Sequence, residues 1–180
     1  NMALRMEEEG ILYPTEKIAS LLRSADLTHI SNEVPFYSSC PPAKPLRGGM
    51  RFCTRPAYMQ VLEAIGADVI ELTGNHLLDW GPEAFSETLK LYETGGYLVY
   101  GGGWSPDAAS KPLKLEINGN KLAFIGCNPS GPEADWATPD RPGSAQCDYD
   151  WMEAQIRVLR QQGYLPIVTI QHIEVYDYKP

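Results

Sequence analysis

The sequence lacks any long apolar run and is poor in positive charge. No stretch approaches the roughly 20 apolar residues that a transmembrane helix requires, and no signal peptide is recognisable. Fifteen lysines and arginines stand against 23 aspartates and glutamates, which gives a net charge of −8. A chain so acidic has little with which to neutralise a phosphate backbone. We therefore expect no membrane insertion by this segment and no nucleic acid partner.

Cysteines in zinc-binding spacing are absent as well, since none of the four lies in a Cys-x-x-Cys pattern. Cys40 and Cys53 bracket one loop rich in proline and glycine, and Cys127 and Cys147 bracket another. Two loop-closing disulfides would suit an extracytoplasmic protein, anchored or secreted through a segment outside this chain. Four reduced, partly buried thiols would instead suit a cytosolic hydrolase. The spacing alone leaves both interpretations open.

The alternation of helical and strand-like segments predicts an α/β fold. At 180 residues, the chain is long enough for one domain and too short for two, so we expect a single domain over 1–180. Predicted helices span 14–25, 56–65, 82–93 and 148–162, and predicted strands span 26–31, 69–72, 97–100, 113–117, 121–125 and 166–170. This order is typical of a layered sandwich of mixed β-sheet flanked by helices. The last strand is continuously apolar, which predicts a central place in its sheet.

Polar side chains of metal-ligand type follow three of these predicted strands. Glu33, Asn75 with His76, and His172 each lie just past an apolar run. Parallel strands would bring them together at the carboxyl edge, where open α/β sheets bind their ligands. A carboxylate, an amide oxygen and imidazoles suit Mn, Fe, Zn or Mg, as one ion or as a pair. Such ions lower the pKa of bound water and stabilise charge on a transferred oxygen.

Each of these residues also has an ordinary structural interpretation. A histidine at a turn often makes only a local hydrogen bond, and asparagine is common in left-handed turn geometry. A lone glutamate after a strand is usually solvated. For Asn75 and His76, the Gly-Asn-His tripeptide with Asp79 close behind it favours a functional role. For Glu33 and His172, the two interpretations are more evenly matched.

Three segments, in the same order, resemble one family. Residues 22–27 together with Glu33 are similar to the "LLRSADL…NLExP" segment of the CapA/PgsA-type bacterial capsule proteins. Residues 72–81 resemble the "LANNHxxDxG" motif of these proteins, and residues 167–180 resemble their "HxGxEYxxxP" segment. The family takes part in poly-γ-glutamate synthesis, and its fold is that of the calcineurin-like metallophosphoesterases. The middle motif is the most specific of the three.

The resemblance implies a role for each candidate residue. Glu33, Asn75 and His172 would bind a divalent metal ion, and His76 would donate a proton or stabilise the transition state. Asp79 would orient His76 or cap the next helix. The resemblance further implies metal-assisted hydrolysis or transfer at a phosphoester, acyl-phosphate or amide link. The substrate would be an anionic polymer or a small phosphorylated molecule, and membrane-bound synthesis proteins would be partners.

The chain also departs from the family pattern. Ser31 stands where the family has asparagine, and Tyr176 stands where it has glutamate. The family's opening strand, which ends in Gly-Asp, would precede this chain, and its Gly-His-His-Pro-His segment would follow it. We therefore expect a truncated core of the fold, whose two-metal site is completed elsewhere. The departures keep open an alternative, a non-catalytic polymer-binding or assembly component with a degenerate metal site.

Overall fold

A computed structural model describes residues 2–44 and 51–172 as helices alternating with short strands. The α-helices are α1 Met2–Glu9, α2 Ala19–Arg23, α3 Met59–Ile65, α4 Gly81–Gly95, α5 Pro106–Ser110 and α6 Tyr149–Gln161. The strands are β1 His29–Ser31, β2 Val69–Glu71, β3 Leu98–Tyr100, β4 Gly102–Gly103, β5 Leu113–Ile117, β6 Asn120–Cys127, β7 Gly143–Ser144 and β8 Leu165–Ile170. Short 3₁₀ turns cover Tyr13–Thr15, Pro56–Tyr58 and Glu133–Asp135. In this part of the chain, no helix is both long and apolar enough to cross a membrane.

The strands form two three-stranded sheets and one small ribbon. The first sheet has the order β1-β2-β3, and all three strands are parallel. The second has the order β5-β6-β8, in which β5 is antiparallel and β8 parallel to β6. Strands β4 and β7 pair as a two-residue antiparallel ribbon. The predicted mixed α/β architecture is confirmed, whereas the assignment of 1–180 to one domain stays a prediction.

The two sheets pack face to face, with helices on their outer faces. Val69 and Tyr100 of the first sheet meet Phe124 of the second in a buried layer between them. Alternate residues point outward, because successive side chains on a strand face opposite sides. Ile70 thus packs with Phe85 of α4 on one outer face. On the other outer face, β6 packs against α6 through a second buried cluster. The result is a layered sandwich of sheets flanked by helices, as the sequence predicted.

Helix ends follow the local signals in the sequence. The side chain of Asp148 accepts a hydrogen bond from the backbone of Trp151 and so caps α6, as predicted. Helices α3 and α4 stop at Gly66 and Gly96, which adopt the left-handed conformation with φ of 67° and 74°. After these glycines the chain continues into β2 and β3.

Two predictions about elements were wrong. The helix predicted over 14–25 is a 3₁₀ turn followed by the shorter α2, because the buried Thr15 hydroxyl donates to the Leu12 carbonyl and competes with helix bonding. Strand β8, predicted to be central, pairs only with β6 among the described residues and stands at the edge of its sheet. Its side chains Leu165, Val168 and Ile170 are exposed.

Disulfide bonds close both of the loops that the cysteines bracket. Cys40 is bonded to Cys53, and Cys127 is bonded to Cys147. All four cysteines are therefore paired, and none is a free thiol. Of the two interpretations left open by the sequence, the structure contains the disulfide form.

Candidate functional site

The candidate site lies where the carboxyl ends of the two sheets meet. Glu33 comes two residues after β1, and Asn75 comes four residues after β2. From the second sheet, Gln171 is the first residue after β8, and its backbone N–H donates to the Cys127 carbonyl at 3.0 Å. Because β1 and β2 are parallel, Glu33 and Asn75 emerge at the same edge.

Gln171 joins the two predicted metal ligands directly. Its side-chain nitrogen Nε2 donates to Glu33 Oε1 at 3.0 Å and to Asn75 Oδ1 at 3.1 Å. Two oxygens from different strands thus converge on one nitrogen atom. The structure brings Glu33 and Asn75 together as the strand-end argument expected. Their role as metal ligands stays a prediction.

Gly74 makes this convergence sterically possible. A Cβ atom on residue 74 would lie 2.7 Å from both Cα and Cγ of Glu33, closer than real Cβ contacts come. Only a residue without a side chain allows the turn after β2 to pass so close to Glu33. The glycine of the Gly-Asn-His tripeptide therefore serves the approach of Glu33 to Asn75.

His76 and Asp79 form a hydrogen-bonded pair on the same turn. His76 Nδ1 lies 2.9 Å from Asp79 Oδ2, and both side chains are largely buried. The same carboxylate oxygen accepts the backbone N–H of Phe52 at 2.6 Å. Since an ionised carboxylate only accepts hydrogen bonds, Nδ1 carries the proton and Nε2 faces away from Asp79. Asp79 thus orients the imidazole, while the catalytic roles of both residues stay predictions.

The loop closed by Cys40–Cys53 packs against this pair. The Phe52 ring meets the His76 ring edge-on, with 4.8 Å between the ring centres. Arg51 donates from Nε and Nη2 to the Asp79 backbone carbonyl at 2.9 and 2.7 Å. Its guanidinium also lies over the Trp80 ring at 4.8 Å. The loop therefore shields one side of His76 and places a cation beside the turn.

The second disulfide-closed loop supplies a buried carboxyl, Asp135. This side chain is only 3% exposed, and its Oδ2 has no hydrogen-bond partner in the described structure. Burial, followed by the negative charge of Asp79, raises the pKa of Asp135 to about 6. A nearby His76 acts in the opposite direction but does not offset these effects. Asp135 therefore lies close enough to Asp79 and His76 to interact electrostatically with both.

His172 occupies the same edge as its neighbour Gln171. It follows β8 by two residues, and its side chain is exposed. Within residues 2–44 and 51–172, no three His, Cys, Asp or Glu side chains form a cluster that could hold a metal ion. The predicted ligand role of His172 is not tested by this arrangement. The remainder of that motif, including Tyr176, lies outside the described residues.

The sequence model of the family described as "Bacterial capsule synthesis protein PGA_cap" matches residues 1–180. The chain belongs to this family. The resemblance drawn from the three motifs is thereby confirmed.

Individual relatives cover most of this chain but only a small part of their own length. The capsule biosynthesis protein CapA of Bacillus anthracis is 24% identical over 126 residues, which are 68% of this chain and 31% of CapA. The uncharacterized protein y4sH of Sinorhizobium fredii is 30% identical over 137 residues, which are 73% of this chain and 27% of that protein. The chain thus spans less than a third of the length of these relatives.

A solved structure with partial likeness is the 5'-nucleotidase precursor from Thermus thermophilus. It superposes with a TM-score of 0.42 and 18% sequence identity, over 63% of this chain and 23% of the other.

Sequence reasoning missed four residues of the site, and the reason differs between them. Gln171 directly precedes the predicted ligand His172, so its position at a strand end was a usable signal. Arg51 and Phe52 sit beside Cys53 in a long loop, a feature that marks function but not a particular residue. Asp135 lies in an irregular segment, and nothing local distinguishes it from the other acidic residues there.

Proposed function

We propose that this chain belongs to a capsule-synthesis protein that binds a divalent metal ion where the carboxyl ends of the two sheets meet. The ion would assist hydrolysis or transfer at a phosphoester, acyl-phosphate or amide link. The observation that carries the proposal is the convergence of Glu33 and Asn75 on one point, beside a histidine that Asp79 orients. Membership of the PGA_cap family supports the biological setting.

The donor set suits a metal ion. Glu33 offers a carboxylate and Asn75 an amide oxygen, and both already point at a single hydrogen-bond donor as they would at a cation. With His172 they would hold Mn, Fe, Zn or Mg, as one ion or as part of a pair in the complete protein. A bound ion would activate water and neutralise charge on the reacting oxygen.

His76 would move the proton in this reaction. In the imidazolium form, the Nδ1 proton is held by Asp79, so the second proton, on Nε2, is the one that would pass to a leaving group or be donated to a developing negative charge. Phe52 packs edge-on against the ring. Asp79 thus fixes the orientation in which the ring would deliver its proton.

The electrostatics favour an anionic substrate only when a cation is bound. The net charge of −8 would repel an anionic polymer or a phosphorylated molecule, and a divalent ion would reverse the field locally. The two disulfides favour an extracytoplasmic location, where thiols are oxidised. There the protein would work with membrane-bound synthesis partners on poly-γ-glutamate or a similar polymer.

A second candidate function is that of a non-catalytic component which keeps the fold and binds polymer. It is favoured by Ser31 and Tyr176, which depart from the family pattern, and by the missing cluster of three His, Cys, Asp or Glu residues in the described segments. The intact Gly74-Asn75-His76 tripeptide favours the first candidate.

Metal content of the full-length protein separates the two candidates. We expect about one or two equivalents of Mn, Fe, Zn or Mg in the wild type, and loss of metal in Asn75→Ala. Asn120→Ala, at the start of β6 beside the hairpin turn, is the matched control and should keep its metal. His76→Ala should keep metal but lose cleavage of a chromogenic phosphodiester. A wild-type protein without metal that still binds anionic polymer would refute the enzyme and support the binding component.

A further inference from the structure

We propose that Gln171 is a third oxygen ligand of the cation site, and that its side-chain amide rotates by a half-turn when the cation binds. This inference rests on the proposed function, since it concerns the same site. It adds a residue from the second sheet to a ligand pair that comes from the first. The cation would then be held between the two layers of the sandwich.

The backbone of Gln171 is firmly placed. Its N–H donates to the carbonyl of Cys127 at 3.0 Å, and its carbonyl accepts from the Ser130 hydroxyl at 3.4 Å. Cys127 is itself fixed by the disulfide to Cys147 and by the pairing of β6 with β8. Any response of Gln171 to a ligand is therefore confined to its side-chain torsions.

The side-chain amide already occupies the place where the oxygens converge. Nε2 has two hydrogens, and Glu33 Oε1 and Asn75 Oδ1 each accept one of them. In the absence of a cation, this is the favourable orientation, because the amide oxygen would otherwise face two other oxygens. The NH₂ group therefore takes the position of a positive partner between a carboxylate and a carbonyl.

A divalent cation reverses the preference. It would attract the same two oxygens and repel the NH₂ group, whereas the oxygen at the other branch of the amide is a good ligand for a hard cation. A half-turn about the last side-chain torsion exchanges the two branches, and this torsion is broad and roughly two-fold in glutamine. The amide can thus change from donor to ligand without movement of the backbone.

Substitutions at residue 171 have opposite expected effects on affinity. In the full-length protein, Gln171→Ala should weaken Mn²⁺ binding by at least about tenfold. Affinity typically falls by about that much even when the lost residue only hydrogen-bonds to a metal ligand. Gln171→Glu should tighten Mn²⁺ binding by a similar factor, because it adds a charged oxygen ligand. Gln162→Ala is the matched control, since Gln162 accepts from Lys114 away from the strand-end edge. Isothermal titration with Mn²⁺ measures all four proteins.

A second measurement follows the amide itself. In ¹⁵N-labelled protein, the side-chain NH₂ resonances of Gln171 should shift when Mg²⁺ is added, because both of their hydrogen bonds break. Equal or tighter Mn²⁺ binding by Gln171→Ala would overturn the inference while leaving the proposed function standing. Absence of cation binding by the wild type would instead refute the proposed function, and this inference with it.

Discussion

Gly74 lies against Glu33 with no room for a Cβ atom between them. A methyl group on residue 74 would be 2.7 Å from Cα and Cγ of Glu33, so the backbone segment of one of these two residues would have to move. The tripeptide that identifies the site is therefore also a packing requirement. Its glycine controls how near the carboxyl ends of β1 and β2 can bring their polar residues.

The first prediction concerns Gly74→Ala. We expect it to displace Glu33, break its hydrogen bond with Gln171 and lower the free energy of unfolding by about 1–3 kcal/mol, as overpacking does. Cation affinity should fall as well. Gly95→Ala is the control, because its Cβ would meet the Tyr97 ring at 2.7 Å, outside the site. That variant should lose stability and keep cation affinity, and a Gly74→Ala protein with normal affinity would contradict the role assigned to the glycine.

The second prediction concerns Asp79→Asn. The amide can present a donor instead of an acceptor to His76 and Phe52, so the imidazole loses the partner that holds its Nδ1 proton. We expect phosphodiester cleavage to fall by about 10²-fold or more, within the range of general acid–base effects. Cation affinity should stay unchanged. Asp140→Asn is the control, since Asp140 is an exposed partner of Thr138. Equal rates in the two variants would show that Asp79 does not orient the general acid.

Residues that act through their place on a strand could be predicted from the sequence. Asn75 and His76 follow an apolar run that forms β2, and a run of this kind marks its strand locally. Glu33 follows β1 in the same way, and the parallel order of the sheet brings these residues to one edge. The Gly66 and Asp148 helix boundaries were also predictable, because caps depend on a few neighbouring residues.

What could not be predicted depends on contacts between distant segments. Asp135 reaches the turn of Asp79 from the loop that Cys127–Cys147 closes, and Phe52 reaches it from the loop that Cys40–Cys53 closes. The edge position of β8 follows from strand order, which an apolar run does not report. The local pattern of apolar residues therefore predicts where strands end, but contacts between distant segments determine which residues surround those ends.

The third prediction concerns the Cys40–Cys53 bond. A Cys40→Ser/Cys53→Ser protein loses a cross-link between residues 13 apart, so the unfolding free energy should fall by about 3 kcal/mol. Phe52 and Arg51 should also be held less firmly against His76 and Asp79, so phosphodiester cleavage should fall at a temperature where the variant is still folded. Thermal unfolding and rates at about 20 °C, well below the usual melting range of such domains, measure the two effects separately. Unchanged rates would show that the loop stabilises the fold without assisting the reaction.

The fourth prediction concerns the pH dependence of stability through Asp135. Its pKa is raised from the ordinary 3.8 to about 6 in the folded protein, so the folded state holds this proton more tightly than the unfolded state. Stability must then decrease as the pH rises from about 4 to about 6, because the folded state binds more protons across that window. Above it, the ionised buried carboxyl destabilises the protein by roughly 3 kcal/mol.

Asp135→Asn tests this directly, because the amide cannot ionise. The unfolding free energy of the variant relative to the wild type should rise by up to roughly 3 kcal/mol between about pH 4 and pH 7. Denaturant unfolding of the disulfide-intact proteins at several pH values measures it. Asp140→Asn is the control, because the Thr138 hydroxyl lowers the pKa of the exposed Asp140 carboxyl, so that group titrates below this window and its loss should produce no such rise. Parallel pH profiles for wild type and Asp135→Asn would mean that Asp135 titrates as it does in the unfolded chain, and that burial beside Asp79 does not hold its proton.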